Sequence, residues 1–139
     1  MYQNFTKLRV RYAETDQMGI AYYGAYNQYF EVGRVEALRS LNMSYKQMEE
    51  DGIMLPVRKV ESEYLKGATY DDLLTITSRI EVFPTIRISF SHEIHNSQGE
   101  LLTIGKVDLV FVSKKSRKPC RPPADFIEKL APYFKSESV

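Results

Sequence analysis

Between Thr6 and Tyr12 apolar and polar positions alternate strictly, Leu8, Val10 and Tyr12 against Lys7, Arg9 and Arg11, which predicts a half-buried strand. The alternation then stops. Ala13 to Ala21 carries Glu14, Thr15, Asp16 and Gly19 and reads as a loop that turns apolar at Ile20. From Gly24 or Ala25 to Leu41 the apolar positions recur at spacings of three and four (Tyr26, Phe30, Gly33, Ala37, Leu41), one face of a helix about 16 residues long. Gly33 and Ala37 on that face leave room for another chain segment to approach closely. A second, shorter helix is predicted over Ser44 to Glu50, where Ser44 is a good N-cap with Gln47 three residues on, and Gly52 is a stop signal.

After Gly52 the pattern is strand. Ile53 to Leu65 is extended, with Pro56 suiting an edge or a strand start. Leu73 to Phe83 alternates, with Leu74, Ile76, Ile80 and Val82 on one side. Ile86 to Ile94 alternates through Ile88, Phe90 and His92, and Asn96 to Gly99 forms a turn cluster that predicts a hairpin. Leu101 to Val112 is the most apolar stretch and is expected at the centre of the sheet, with Gly105 marking a bulge or a close contact. Ser113 to Pro123 is basic and proline-rich. Ala124 to Phe134 is helical in pattern, with Pro132 set to cut it short. One strand, one long helix and four strands joined by short turns make an α+β chain with mostly antiparallel pairing, a single sheet curled around one helix. Helices do not alternate with the later strands, so a doubly wound fold is excluded.

Composition narrows the chemistry. The 139 residues are 43% hydrophobic and 27% charged, the composition of one soluble globular domain spanning 1–139. Lysines and arginines number 19 against 18 acidic residues, a formal charge of +1 that argues against nucleic acid as the main partner. One cysteine excludes an intrachain disulfide, and with only two histidines it argues against a Cys/His metal site. Neither a signal peptide nor a membrane-spanning run is visible, so a cytoplasmic location without integral membrane association is expected.

The run Val10 to Tyr26 (VRYAETDQMGIAYYGAY), followed by Tyr29, Phe30, Glu31, Gly33 and Arg34, resembles the signature of the 4-hydroxybenzoyl-CoA thioesterase family of hotdog-fold acyl-CoA thioesterases. Tyr64 to Thr77 (YLKGATYDDLLTIT) is similar to that family's second strand, turn and third strand. The resemblance covers essentially the whole chain. It implies a helix wrapped by a five-stranded antiparallel sheet and a homodimer joined edge to edge, often a homotetramer. It also implies cofactor-free hydrolysis of an acyl-CoA or acyl-carrier-protein thioester at a site shared between subunits. In the family an aspartate matching Asp16 acts as nucleophile or as general base, and the position matching Tyr23 is histidine in many bacterial members. With tyrosine there, Asp16 would work without an imidazole beside it.

The residues support such chemistry independently. Thioester hydrolysis needs a group to attack or to activate water, and donors for the oxyanion that forms. Asp16 lies just ahead of the long helix, whose first amides, near Tyr23 and Gly24, are free donors at the positive end of the helix dipole. Gly24 would let a ligand approach the backbone. An isolated loop aspartate also commonly makes an Asx-turn or a helix cap, and Tyr23 is equally suited to packing in a tunnel or core. Tyr22, Tyr26 and Tyr29 read as core and interface aromatics. Glu31 and Arg34, three apart on the helix, are expected to pair. His92 and His95, an odd offset on one strand, should point to opposite faces. Cys120 reads as an exposed free thiol. Lys114, Lys115, Arg117, Lys118 and Arg121 form either a solvated charged loop or a dock for the phosphates of coenzyme A or for an acidic carrier protein. A non-catalytic acyl-CoA or acyl-carrier binding module is the alternative function.

Overall fold

Residues 1–135 are described in the computed structural model of the chain; the last four positions of the expected domain lie outside the described residues. Strand β1 (Tyr2–Arg9) begins before Thr6 and ends before Tyr12. Its even-numbered positions face inward as the alternation requires, from buried Tyr2 through half-buried Leu8 to buried Val10. Val10 already exchanges backbone hydrogen bonds with the 71–72 segment (Val10 N–H to Asp72 O, 3.0 Å; Asp71 N–H to Val10 O, 2.9 Å). The chain then bends into a 3-10 turn at Tyr12–Glu14, which carries Tyr12 out of the strand face to 77% exposure.

Helix α1 (Ala25–Ser40) buries Tyr26, Tyr29, Phe30, Gly33, Ala37 and Leu38. A side chain at Gly33 would strike Ser78 Oγ and come within 2.9 Å of Ile76 Cγ2, so the small residue sets how closely α1 lies on the sheet. In α2 (Tyr45–Glu50) the Ser44 hydroxyl accepts from Gln47 N–H at 3.0 Å, but the Gln47 side chain turns to Asp51 at 3.0 Å, so only half of a reciprocal cap forms.

The remaining strands are β2 (Ile53–Met54), β3 (Val57–Tyr64), β4 (Leu73–Ile80), β5 (Arg87–His95), β6 (Leu101–Val110) and β7 (Val112–Ser113). The main sheet runs β1-β4-β5-β6-β3, all neighbours antiparallel, while β2 and β7 form a separate two-stranded pair. Two of the expected long strands are therefore broken. Pro56, with no N–H to donate, separates β2 from β3, and Phe111 marks the break between β6 and β7. β3 is an edge, as Pro56 suggested. The centre is β5 rather than β6, and Val82, beyond the end of β4, is 74% exposed instead of facing inward. No register shift occurs at Gly105; the ring of Phe30 occupies the space a side chain there would need. The core lies between α1 and the sheet, and α3 (Ala124–Leu130) adds Phe126 and Leu130 before giving way to a 3-10 turn at Ala131–Tyr133, which contains Pro132.

Candidate active site

The segment between β1 and α1 is held at several points. Arg11 N–H and Arg11 Nε each donate to the Glu14 carboxylate at 2.9 Å, and the Tyr29 hydroxyl of α1 donates to Glu14 Oε1 at 2.9 Å. Burial pushes the Glu14 carboxyl up, but these hydrogen bonds outweigh it and hold the group below its ordinary range. Tyr29 is shifted the other way, by burial first and by its hydrogen bond to Glu14 second, so it stays a hydroxyl donor. Glu14 O then accepts from Tyr22 N–H at 3.0 Å, and Ala21 N–H donates to Ala68 O at 2.8 Å, tying the loop to the segment after β3.

Within that frame Asp16 sits on a tight turn. Its N–H donates to Ile20 O at 2.9 Å, its carbonyl accepts from Gly19 N–H at 3.0 Å, and Gly19 supplies the φ of +79° that the turn requires. Asp16 Oδ1 accepts from Met18 N–H at 2.8 Å, so the Asx-turn expected of a loop aspartate is present. It engages one oxygen; Oδ2 has no partner among the described residues.

Asp16 lines an open pocket of about 350 Å³ together with Ile20, Tyr23, Tyr26, Tyr64 and Lys66. Tyr26 meets Tyr64 at 5.2 Å between ring centroids and Tyr29 at 5.5 Å, forming an aromatic wall that joins α1 to the end of β3. Tyr23 stands at the rim, 76% exposed, rather than in the core. Backbone hydrogen bonding into α1 begins with Ala25 N–H to Tyr22 O (3.0 Å); neither Tyr23 N–H nor Gly24 N–H has an acceptor among the described residues. A side chain at Gly24 would strike the ring of Tyr22, which lies 2.5 Å from where its Cβ would stand.

Other expected residues fall elsewhere. Tyr26 and Tyr29 are core residues, whereas Tyr22 is 40% exposed. Glu31 and Arg34 do not pair: Arg34 turns inward to 7% exposure, its Nε without an acceptor, and its charge acts on Tyr45 and His92. His92 is fully buried, bonded through Nδ1 to Ser78 Oγ at 2.9 Å and stacked on Phe30, while His95 lies half-buried at the strand end. Cys120 is half-buried against the core rather than exposed. The basic segment is folded rather than loose, with Ser113 N–H donating to Lys118 O (2.9 Å) and Arg117 N–H to Ser113 O (2.8 Å). Among the described residues no cluster of His, Cys, Asp and Glu could hold a metal ion, and no helix is long and apolar enough to cross a membrane. Sequence reasoning missed Glu14. Its three-residue spacing from Arg11 was a local signal, but its bond to Tyr29 depends on the fold.

One short segment thus brings a carboxylate oxygen without a partner among the described residues, an aromatic pocket and unpartnered amides to the start of the sheet-wrapped helix. The sequence model of the Thioesterase-like superfamily matches residues 10–130. YneP of Bacillus subtilis (strain 168), named as a candidate acyl-CoA thioesterase, is 34% identical over 86% of each chain. The acyl-CoA thioester hydrolase YbgC of Shigella flexneri is 30% identical over 86% of this chain and 90% of its own. Among solved structures, a DHNA-CoA thioesterase from Staphylococcus aureus superposes with a TM-score of 0.92 at 32% identity, covering 100% of this chain and 97% of that one. A mutant of 4-hydroxybenzoyl-CoA thioesterase in complex with 4-hydroxybenzoyl CoA shares the fold, with a TM-score of 0.83 at 20% identity over 93% and 99% of the two chains. The chain belongs to the Thioesterase-like superfamily, as an enzyme of the hotdog-fold group that includes 4-hydroxybenzoyl-CoA thioesterase.

Proposed function

We propose that the protein hydrolyses acyl-CoA thioesters in the Asp16 pocket, with a compact aromatic acyl group as its preferred cargo. The observation that carries the reading is the pairing, within one short segment, of a carboxylate oxygen free of partners with the unpartnered amides of Tyr23 and Gly24. Asp16 takes a proton from water as the water oxygen bonds to the thioester carbonyl carbon. The amides stabilise the oxyanion. When the carbon–sulfur bond breaks, the leaving thiolate recovers that proton. Direct attack by Asp16 to give an anhydride, later opened by water, uses the same geometry.

The preference for an aromatic acyl group is supported by the tyrosine walls and by a volume of about 350 Å³, which suits a ring better than a long chain. The similarity to a DHNA-CoA thioesterase at 32% identity points the same way. The single cysteine favours a reducing, cytoplasmic setting. A homodimer joined sheet edge to sheet edge, or a homotetramer, is the assembly the family resemblance implies.

The test is free-thiol release from a panel of aromatic, short aliphatic and long-chain acyl-CoA esters and an acyl-carrier-protein ester. Aromatic CoA esters should give the highest kcat/KM. Asp16→Asn should lower kcat by about 10²- to 10⁴-fold without changing the oligomer. Undiminished turnover in that variant removes Asp16 from catalysis. Binding without thiol release in the wild type identifies a non-catalytic carrier instead.

A further inference from the structure

The Asp16 pocket runs from an exposed mouth to a buried end. Asp16 and Tyr23 are exposed, whereas Tyr26, three residues further on, is 3% exposed, and Ala68, next to the lining residue Gly67, is wholly buried. The Tyr26 hydroxyl lies at that inner end, where it accepts from Ala68 N–H at 3.4 Å. Ala68 is fixed from its other side as well. Its carbonyl accepts from Ala21 N–H at 2.8 Å, and a side chain at Gly67 would meet Ile20 Cγ2 at 2.8 Å, so the segment is pressed against the Asp16 loop.

A phenol hydroxyl has one proton to donate as well as lone pairs that accept. Ala68 engages a lone pair. The proton itself has no acceptor among the described residues, in contrast to that of Tyr29 on the same helix, which goes to Glu14. Buried donors in native proteins are almost always satisfied, and a donor on a pocket wall can be satisfied by what fills the pocket. An aryl ring with its carbonyl carbon at Asp16 points its 4-position away from the mouth, toward this hydroxyl.

We infer that Tyr26 determines specificity in the pocket, its hydroxyl proton recognising an accepting oxygen on the acyl group at the end remote from the thioester. The inference rests on the thioester reading above. Since the hydroxyl donates, an ether oxygen, which only accepts, is enough.

The test compares 4-methoxybenzoyl-CoA with 4-ethylbenzoyl-CoA, which are close in size and differ by an oxygen in place of a CH2. Wild-type kcat/KM should favour the methoxy ester by about 10-fold. Tyr26→Phe should bring the ratio close to one. That variant also strips Ala68 N–H of its acceptor and slows both esters, which leaves the ratio as the readout. Tyr64→Phe, which alters the neighbouring wall, should keep the wild-type ratio. A wild-type ratio near one, a preference that survives Tyr26→Phe, or one lost instead in Tyr64→Phe overturns the assignment. A check that needs no variant is the pair substituted at the 3-position, whose oxygen lies off the axis of the pocket; its ratio should be smaller, and an equal or larger one overturns the placement at the inner end. Calorimetric binding of the matching phenacyl thioethers of CoA, which cannot be hydrolysed, separates this inference from the thioester reading. Wild-type protein that cleaves neither ester yet binds the methoxy thioether about 10-fold more tightly removes the thioester reading and supports the role of Tyr26. Equal binding of the two thioethers removes that role.

Discussion

Three donors converge on Glu14, two from Arg11 and one from Tyr29, and this carboxylate joins the loop that carries Asp16 to the helix it precedes. Glutamine in its place would keep one accepting oxygen but turn an NH2 group toward another donor. Glu14→Gln should therefore cost about 1.5–3 kcal/mol, read as a lower urea midpoint with an unchanged slope. The sign with pH follows from the lowered carboxyl: the stabilisation is complete above the ordinary glutamate value near 4.5 and fades as pH falls through the folded-state value. A buried histidine acts in the same direction by another cause. Burial first, and the Arg34 charge second, lower His92 from its ordinary 6.5 to about 3. Between those values the unfolded chain binds a proton that the folded chain refuses, so stability falls from about pH 6.5 toward about pH 3. Unfolding at pH 7, 5 and 4 should show the gap between wild type and His92→Gln shrinking as the pH drops. A gap that stays constant would mean that His92 does not titrate in this way.

At the scale of elements, α1 lies against the sheet through positions where side chains are small or absent. Phe30 fills the space above Gly105, and Gly33 rests on Ser78 and Ile76. Gly105→Ala should cost about 1–3 kcal/mol, and adding Phe30→Leu should recover part of that loss, as thermal unfolding of the two variants would show. The helix was legible because its apolar face repeats every three to four residues over its full length. The strands were legible as runs but not always in their limits. Alternation from Thr6 to Tyr12 continues past the point where the backbone leaves the sheet, because Tyr12 has the right parity but no strand beside it. The break at Pro56 was signalled by its missing N–H. The break at Phe111 had no such mark, since that residue is fully buried and as apolar as the strand before it.

Across the whole molecule, the architecture was readable from the order of periods, one long helix and then strands with hairpin-length turns. The candidate pocket was readable as far as Asp16 and Tyr23, because those residues are near neighbours in the chain. What escaped depends on contacts between distant segments. Tyr64 joins the pocket through the end of an edge strand, Arg34 turns inward instead of pairing with Glu31, and Glu14 meets Tyr29 across the helix entry. The division of labour between these segments has a further effect. Asp16 is held by its own turn, whereas another part of the pocket comes from the 64–67 segment, anchored separately to β6 through Leu65 and Lys66. Two separately anchored stretches of chain thus line one pocket, so its shape is open to redesign at Tyr64 and Leu65 while the Asp16 turn keeps its position.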